Sequence, residues 1–280
     1  MMKGRPAARA AVKRRVWVFL ILAILLVALA VAAPALAPND PNRTNSDFMK
    51  IAPCAQFPLG TDKLGRCVLS RVLMGARTSI FSSLCVVAAS FAFGTVLGVL
   101  CGWYGGALDE LVMRAVDILL AFPQMVLAIA VAGVLGGSLL NAMIAMGITG
   151  WTLYARLARS AVLTLKNEPF IAAEKLSGCG TPRLLCRHVL PNIFGPLLVN
   201  AATQIGTMMI GIAGLSFLGI GVTPPQAEWG SMINEARAYI QLAPWTVLAP
   251  GGAMLITVMI FNYLGDSVRD LMDVSGQSHE

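Results

Sequence analysis

The chain has 280 residues, of which 57% are hydrophobic and 12% charged, with a mean hydropathy of +0.73. A soluble domain is about 45–50% apolar and about 25% charged, and one of this size cannot bury so large an apolar excess. The composition excludes an ordinary soluble enzyme and a disordered chain, and points to an integral membrane protein with room for about six spans of ~20 residues. The formal charge of +7 arises from 21 Lys+Arg against 14 Asp+Glu. These cations flank apolar runs and form no stripe with interleaved aromatics, so they are read as topology signals and no nucleic-acid partner is expected.

Lys3 to Arg15 carry six positive charges and no acids. An apolar run from Val16 to Ala33 follows, then Pro-Ala-Leu-Ala. The run is longer than the ~7–15 residues of a signal-peptide core, and Pro38 would follow the scissile bond, so an uncleaved first helix is expected. Asn39 to Arg77 is a polar outer loop whose Lys63, Arg66, Arg71 and Arg77 are assigned to an interfacial helix. Further spans are expected at Ser79–Leu100, Ile118–Leu135, Leu139–Tyr154, Ile193–Val222 and Val247–Leu264. The fold class is therefore an all-α membrane protein with six transmembrane helices. Both termini and the loop at about 156–192 are cytoplasmic. Of the 21 Lys/Arg, 14 fall on the cytoplasmic pieces and seven on the outer ones, as the positive-inside rule asks. Two units are drawn: 1–57, with the basic tail, first helix and outer loop, and a core at 58–280.

The spans hold almost no ionisable groups. A charge at mid-bilayer costs ~2.5–3.5 kcal/mol or more, and ion-coupled carriers normally retain a few. Asp117 and Asp266 stand at span ends. No internal repeat supports a secondary transporter. No phosphate-binding GxxxxGK[ST] loop occurs, so Leu176-Ser-Gly-Cys-Gly180 is a chance echo of an ATPase signature. No catalytic, cofactor-binding or metal-binding residue is assigned. His188 and His279 are isolated, and Met208 and Met209 in a span read first as packing. The cysteines form no CxxC pair, and a disulfide between Cys54 and Cys67 is left open.

Phe170-Ile-Ala-Ala-Glu-Lys-Leu-Ser-Gly178, followed by Arg187-His-Val-Leu-Pro-Asn192, describes a short helix, a glycine stop and a proline-led return to the membrane. This segment resembles the EAA coupling loop of ABC importer permeases. Pro58–Arg66, Gly102-Trp-Tyr-Gly-Gly106 with Asp109, Met113, Arg114 and Asp117, and Ala121-Phe-Pro123 are similar to the dipeptide/oligopeptide/nickel group. So are Trp151 with Tyr154-Ala-Arg156, Gly214–Val222, Glu228-Trp-Gly230, Asn262, Gly265-Asp266 and Arg269-Asp270. The resemblance covers nearly everything after residue 57. It places the coupling contacts on Ala172, Ala173, Glu174, Gly178, Leu190 and Pro191. Two positions depart from the pattern: the family's Glu falls on Ala172, with Glu174 at its second Ala, and Cys67 replaces a common Asp.

The resemblance implies a permease subunit that binds no cofactor and catalyses nothing by itself, with ATP and Mg held by partners. Those partners are a homologous second permease, two ATPase subunits and an extracellular substrate-binding protein, in the bilayer of the cytoplasmic membrane. Ile205–Met209, Ala213-Gly214 and Ala227–Arg237 are more similar to the nickel branch, so nickel or a related metal chelate is the expected cargo and di- or oligopeptides the alternative. Gln204, Met208, Met209, Ser216 and Asn262 are the candidate path residues. A secondary carrier and a membrane-anchored assembly protein are the rival classes, and copurifying ATPase activity separates both from an importer.

Overall fold

A computed structural model describes residues 5–276, and no strand occurs among them. Ten α-helices follow in order: α1 Arg5–Leu36, α2 Val68–Tyr104, α3 Gly106–Leu120, α4 Gln124–Leu135, α5 Leu139–Leu165, α6 Pro169–Leu176, α7 Thr181–Leu184, α8 Leu190–Phe217, α9 Trp229–Ala236 and α10 Trp245–Gly276. His279 and the N-terminal Lys3 lie outside the described residues.

Four of these regions are long and apolar enough to cross a membrane, within α1, α2, the α7–α8 stretch and α10. A fifth exists if α3 and α4, bent by 91°, form one broken span. The expected third span, Ile118–Leu135, is therefore two helices. Pro123 disfavours a helical conformation at Phe122 and cannot donate to the turn before it. The fourth expected span lies in α5, which at 27 residues is long enough but is diluted by Asn141, Thr149, Thr152 and Arg156. Ser138 caps α5 by accepting from Asn141 N at 3.1 Å. The Asn141 amide donates to Leu135 O and Gly136 O, closing the hairpin with α4.

At 37 residues, α2 is about 55 Å long, well beyond the ~30 Å hydrocarbon core. It packs most closely on α5, where Gly94, Gly98 and Gly102 lie on one face. A Cβ at Gly94 would stand 2.3 Å from Trp151 O, and one at Gly98 2.3 Å from Ala155 O. Small residues at spacing four bring two helix backbones together where no hydrophobic effect drives them. The main core runs along this seam and through Met146, Met208, Ile212 and Phe261. A second cluster joins Ala76, Ile80, Met209, Trp229 and Val258.

Candidate functional site

Two constructions flank the spans. At one end, α6 and the turn after it form a compact knob. Pro169 starts α6, and Gly178, at φ +80°, ends its run in a conformation that L side chains rarely adopt. Ile171 is fully buried and shares a core with Val162, Leu184, Val189 and Ile193, so the knob is rooted in α5 and α8. Its outer surface presents two large apolar side chains, Leu176 at 90% exposure and Phe170 at 41%, beside the exposed Glu168 and Lys175.

Beyond α7, Leu185–Val189 form a π-helical turn in which Leu190 N donates to Leu185 O. Pro191 explains the widening, because it has no N–H for Arg187 O and its ring crowds the preceding turn. Of the six residues expected to make coupling contacts, Ala172, Ala173, Gly178 and Pro191 are exposed, and Glu174 and Leu190 are half-buried. Glu174 Oε1 lies 3.7 Å from His188 Nε2, an ion pair when the histidine is protonated. The shifted glutamate thus meets the π turn of its own chain.

At the other end, the loop before α2 folds onto α9. Arg66 is 2% exposed, donates to Asp62 at 2.6 Å and pairs with Glu235. Arg71 is 1% exposed, 3.8 Å from Asp62 and 4.0 Å from Glu235. The expected interfacial helix is absent: Lys63 lies in a turn, Arg66 and Arg71 are interior, and Arg71 and Arg77 already belong to α2. Burial lowers the Arg66 pKa, but Asp62 and Glu235 outweigh it and hold the guanidinium charged.

Beside this cluster, Glu228 is buried at the start of α9 and accepts from Gly230 N at 2.9 Å and Ser231 N at 2.8 Å. Ser79 of α2 donates to Glu228 at 3.1 Å, and Trp229 donates its indole N–H to Val72 O at 3.0 Å. Gly230 is pressed on α8, where a Cβ would stand 2.2 Å from Ala213 O. Glu228-Trp229-Gly230 is a wedge pinning α9 between α2 and α8.

Burial, then Asp62, pushes the Tyr239 phenol from 10.0 to about 12. Its neutral form is favoured in the fold, so its contribution is complete below pH 10 and is lost as pH rises toward 12. Thermal unfolding in detergent should show an alkaline decline over that window, reduced in Tyr239→Phe; an identical decline in the variant would contradict it.

The candidate path residues differ in burial and partners. Met208 and Met209 are buried in the two cores, and Ser216 Oγ accepts from Val222 N at 3.1 Å. Gln204 is half-buried on α8, and Asn262 is exposed on α10 against Gly206. All six cysteines are free, so Cys54 and Cys67 do not pair: Cys54 is exposed, whereas Cys67 is buried at the start of α2.

The profile of the family described as binding-protein-dependent transport system inner membrane component matches residues 94–274. The chain belongs to this family. It is 41% identical over 254 residues to the dipeptide transport system permease protein DppC of Alkalihalophilus pseudofirmus, covering 91% of this chain and 84% of that protein. It is also 41% identical over 254 residues to the nickel transport system permease protein NikC of Escherichia coli K12, covering 91% and 92%. Its fold is similar to that of the inward-facing MetNI methionine ABC transporter, at 20% identity and a TM-score of 0.52, over 70% of this chain and 94% of the solved one. The chain is thus an ABC importer permease of the dipeptide/oligopeptide/nickel group.

Two parts of this permease lie outside what the sequence analysis identifies. The charge cluster at the end away from the knob joins residues about 170 positions apart, which no local pattern reveals. The Gly94-xxx-Gly98-xxx-Gly102 spacing is present in the chain and marks a face of α2 suited to close packing, although it does not name α5 as the partner.

Proposed function

We propose that this permease forms half of the translocation path of an ATP-driven importer in the cytoplasmic membrane, with six spans and both termini in the cytoplasm. In this reading α3–α4 and α5 supply the spans that length and composition do not count by themselves. The observation that carries the coupling role is the knob: a tip that exposes Leu176 and Phe170 on a root embedded in the same core as α2, α5 and α8. Such an element docks in a groove and transmits rigid-body motion.

The partners are a homologous second permease, two ATPase subunits that hold ATP and Mg, and an extracellular binding protein that selects the cargo. ATP-driven closure of the ATPases moves the knob and opens the path outward; hydrolysis restores the inward state. Shifting a 1:99 population to 99:1 requires ~5.5 kcal/mol of differential binding, a scale that nucleotide-driven closure can supply. Gln204 and Asn262, the candidates with accessible polar groups, are assigned to the path. Met208, Met209 and Ser216 support it through packing.

Nickel or a related metal chelate remains the proposed cargo, with di- and oligopeptides as the alternative. Relatives of both names stand at 41% identity, so likeness favours neither. Nickel accumulation in cells with and without the gene, with dipeptides as competitors, separates them. Gene-dependent nickel uptake insensitive to dipeptides supports the metal reading, and loss of dipeptide uptake with nickel unchanged supports the peptide one.

The proposed topology places exposed Cys54 outside and exposed Cys186 inside. Of two single-cysteine variants in intact spheroplasts, a membrane-impermeant maleimide should label the one retaining Cys54 and spare the one retaining Cys186. Labelling of Cys186 would refute the topology.

A further inference from the structure

We infer that Trp103 is a positioning residue through which the knob holds α2. The inference rests on the coupling role proposed above. Trp103 stands one residue before the end of α2 and is 7% exposed. Two ammonium groups from other elements close on its ring. Lys175 of α6 places Nζ 4.8 Å from the ring centroid, and Lys166, just past the end of α5, places Nζ at 5.8 Å. Lys166 also donates to the Trp103 carbonyl. Both lysines lie within the distance at which the negative face of an indole attracts a cation. Neither is ion-paired among the described residues.

The indole therefore attracts both cations and ties three elements at one point. The apolar side of the same contact is continuous, because Trp103, Val162, Ile171, Leu184 and Val189 belong to one core. A displacement of α6 is thus carried to α5 through Lys166 and to α2 through Trp103. Immediately beyond Trp103 the chain turns at Gly105 and Gly106 into α3, whose Asp109 is paired with Arg159 of α5 at 2.6 Å. The knob consequently engages the α2–α3 turn as well as the helix that follows it in sequence. Trp103 lies within the Gly102–Gly106 segment, and its side chain gives that segment a mechanical part.

The test is made in the whole complex, with both permeases, the ATPases and the binding protein in proteoliposomes. Cargo moved per ATP hydrolysed is measured with radioactive nickel or a labelled dipeptide, whichever the cells accumulate. Trp103→Leu keeps apolar bulk and removes the ring; the ratio should fall about fivefold or more. Trp103→Phe keeps a ring face and should stay within about twofold of the parent. Lys175→Met should lower the ratio alone but not further in the Trp103→Leu background, because the two act as one unit.

An unchanged ratio in Trp103→Leu overturns the inference, as do effects of the two substitutions that multiply. Lys175 is exposed, so its variants test the same point if Trp103→Leu does not assemble. Lys175→Arg should then retain the ratio that Lys175→Met loses, and equal values for the two overturn the inference. Absence of ATPases from the complex formed by the parent chain contradicts the coupling role itself and is distinguishable from every one of these results.

Discussion

Gly98→Ala should destabilise the permease by about 1–3 kcal/mol, whereas Gly147→Ala should be neutral or stabilising by up to about 1 kcal/mol. Both glycines are inside helices, where alanine is intrinsically better by about 0.8–1.0 kcal/mol. The difference lies in what the new methyl meets. At Gly98 it would stand 2.3 Å from Ala155 O and 2.8 Å from Ala158 Cβ. Neither is the end of a flexible chain, so α2 and α5 must separate along the whole seam. At Gly147 nothing lies within 4 Å, and propensity alone decides. Gly98→Leu should prevent assembly altogether. Thermal unfolding of the purified chain in detergent, followed by loss of monodispersity, measures the pair. Equal midpoints for the two alanine variants would show that the seam is not closely packed.

Asp62→Ala carries the second large effect, a loss of about 3–5 kcal/mol, because it leaves buried Arg66 short of a counter-charge. Asp62 also organises its own loop, accepting from Leu64 N at 2.9 Å and from Arg66 N at 3.0 Å. The contrasting substitution is Arg114→Ala. Arg114 pairs with Glu110 at 2.7 Å, but the two side chains are 73% and 65% exposed. Solvent screens such a pair, and its loss should change stability by about 0–1 kcal/mol. Unfolding midpoints of the two variants should therefore differ widely. A small shift for Asp62→Ala would mean that water reaches the Asp62–Arg66–Glu235 cluster.

How much was legible in the sequence follows from which forces are local. Apolar runs announce α1, α2, α8 and α10, because length and hydropathy are properties of consecutive residues. Helix ends were less legible. α2 begins at Val68 and not at Ser79, since its first turns bury Ser70 and Arg71 against loops that hydropathy cannot register. The break between α3 and α4 was written in Pro123, but the apolar residues on either side masked it.

The knob was legible because its helix, glycine stop and proline return lie within about twenty residues of one another. Its π turn was not, since a widened turn depends on how Pro191 is accommodated. The charge cluster around Arg66 is not legible. Arg66 and Arg71 look like membrane-surface cations until Glu235 is folded against them. The candidate path residues divide: the packing reading of Met208 and Met209 agrees with their burial, whereas the burial of Ser216 appears only in the folded chain.

The central claim is that this permease is driven by ATPase subunits docked on its knob. The most direct measurement is ATP hydrolysis in the material that copurifies with the tagged chain from its own membranes, compared with Gly178→Trp. At φ +80° that glycine tolerates a side chain poorly, and an indole there would also block the proposed docking face. The parent should bring down ATP-hydrolysing subunits, and the variant should insert in the membrane without them. A parent chain that supports cargo uptake with no ATPase bound, or a variant that retains both ATPase and uptake, would contradict the account.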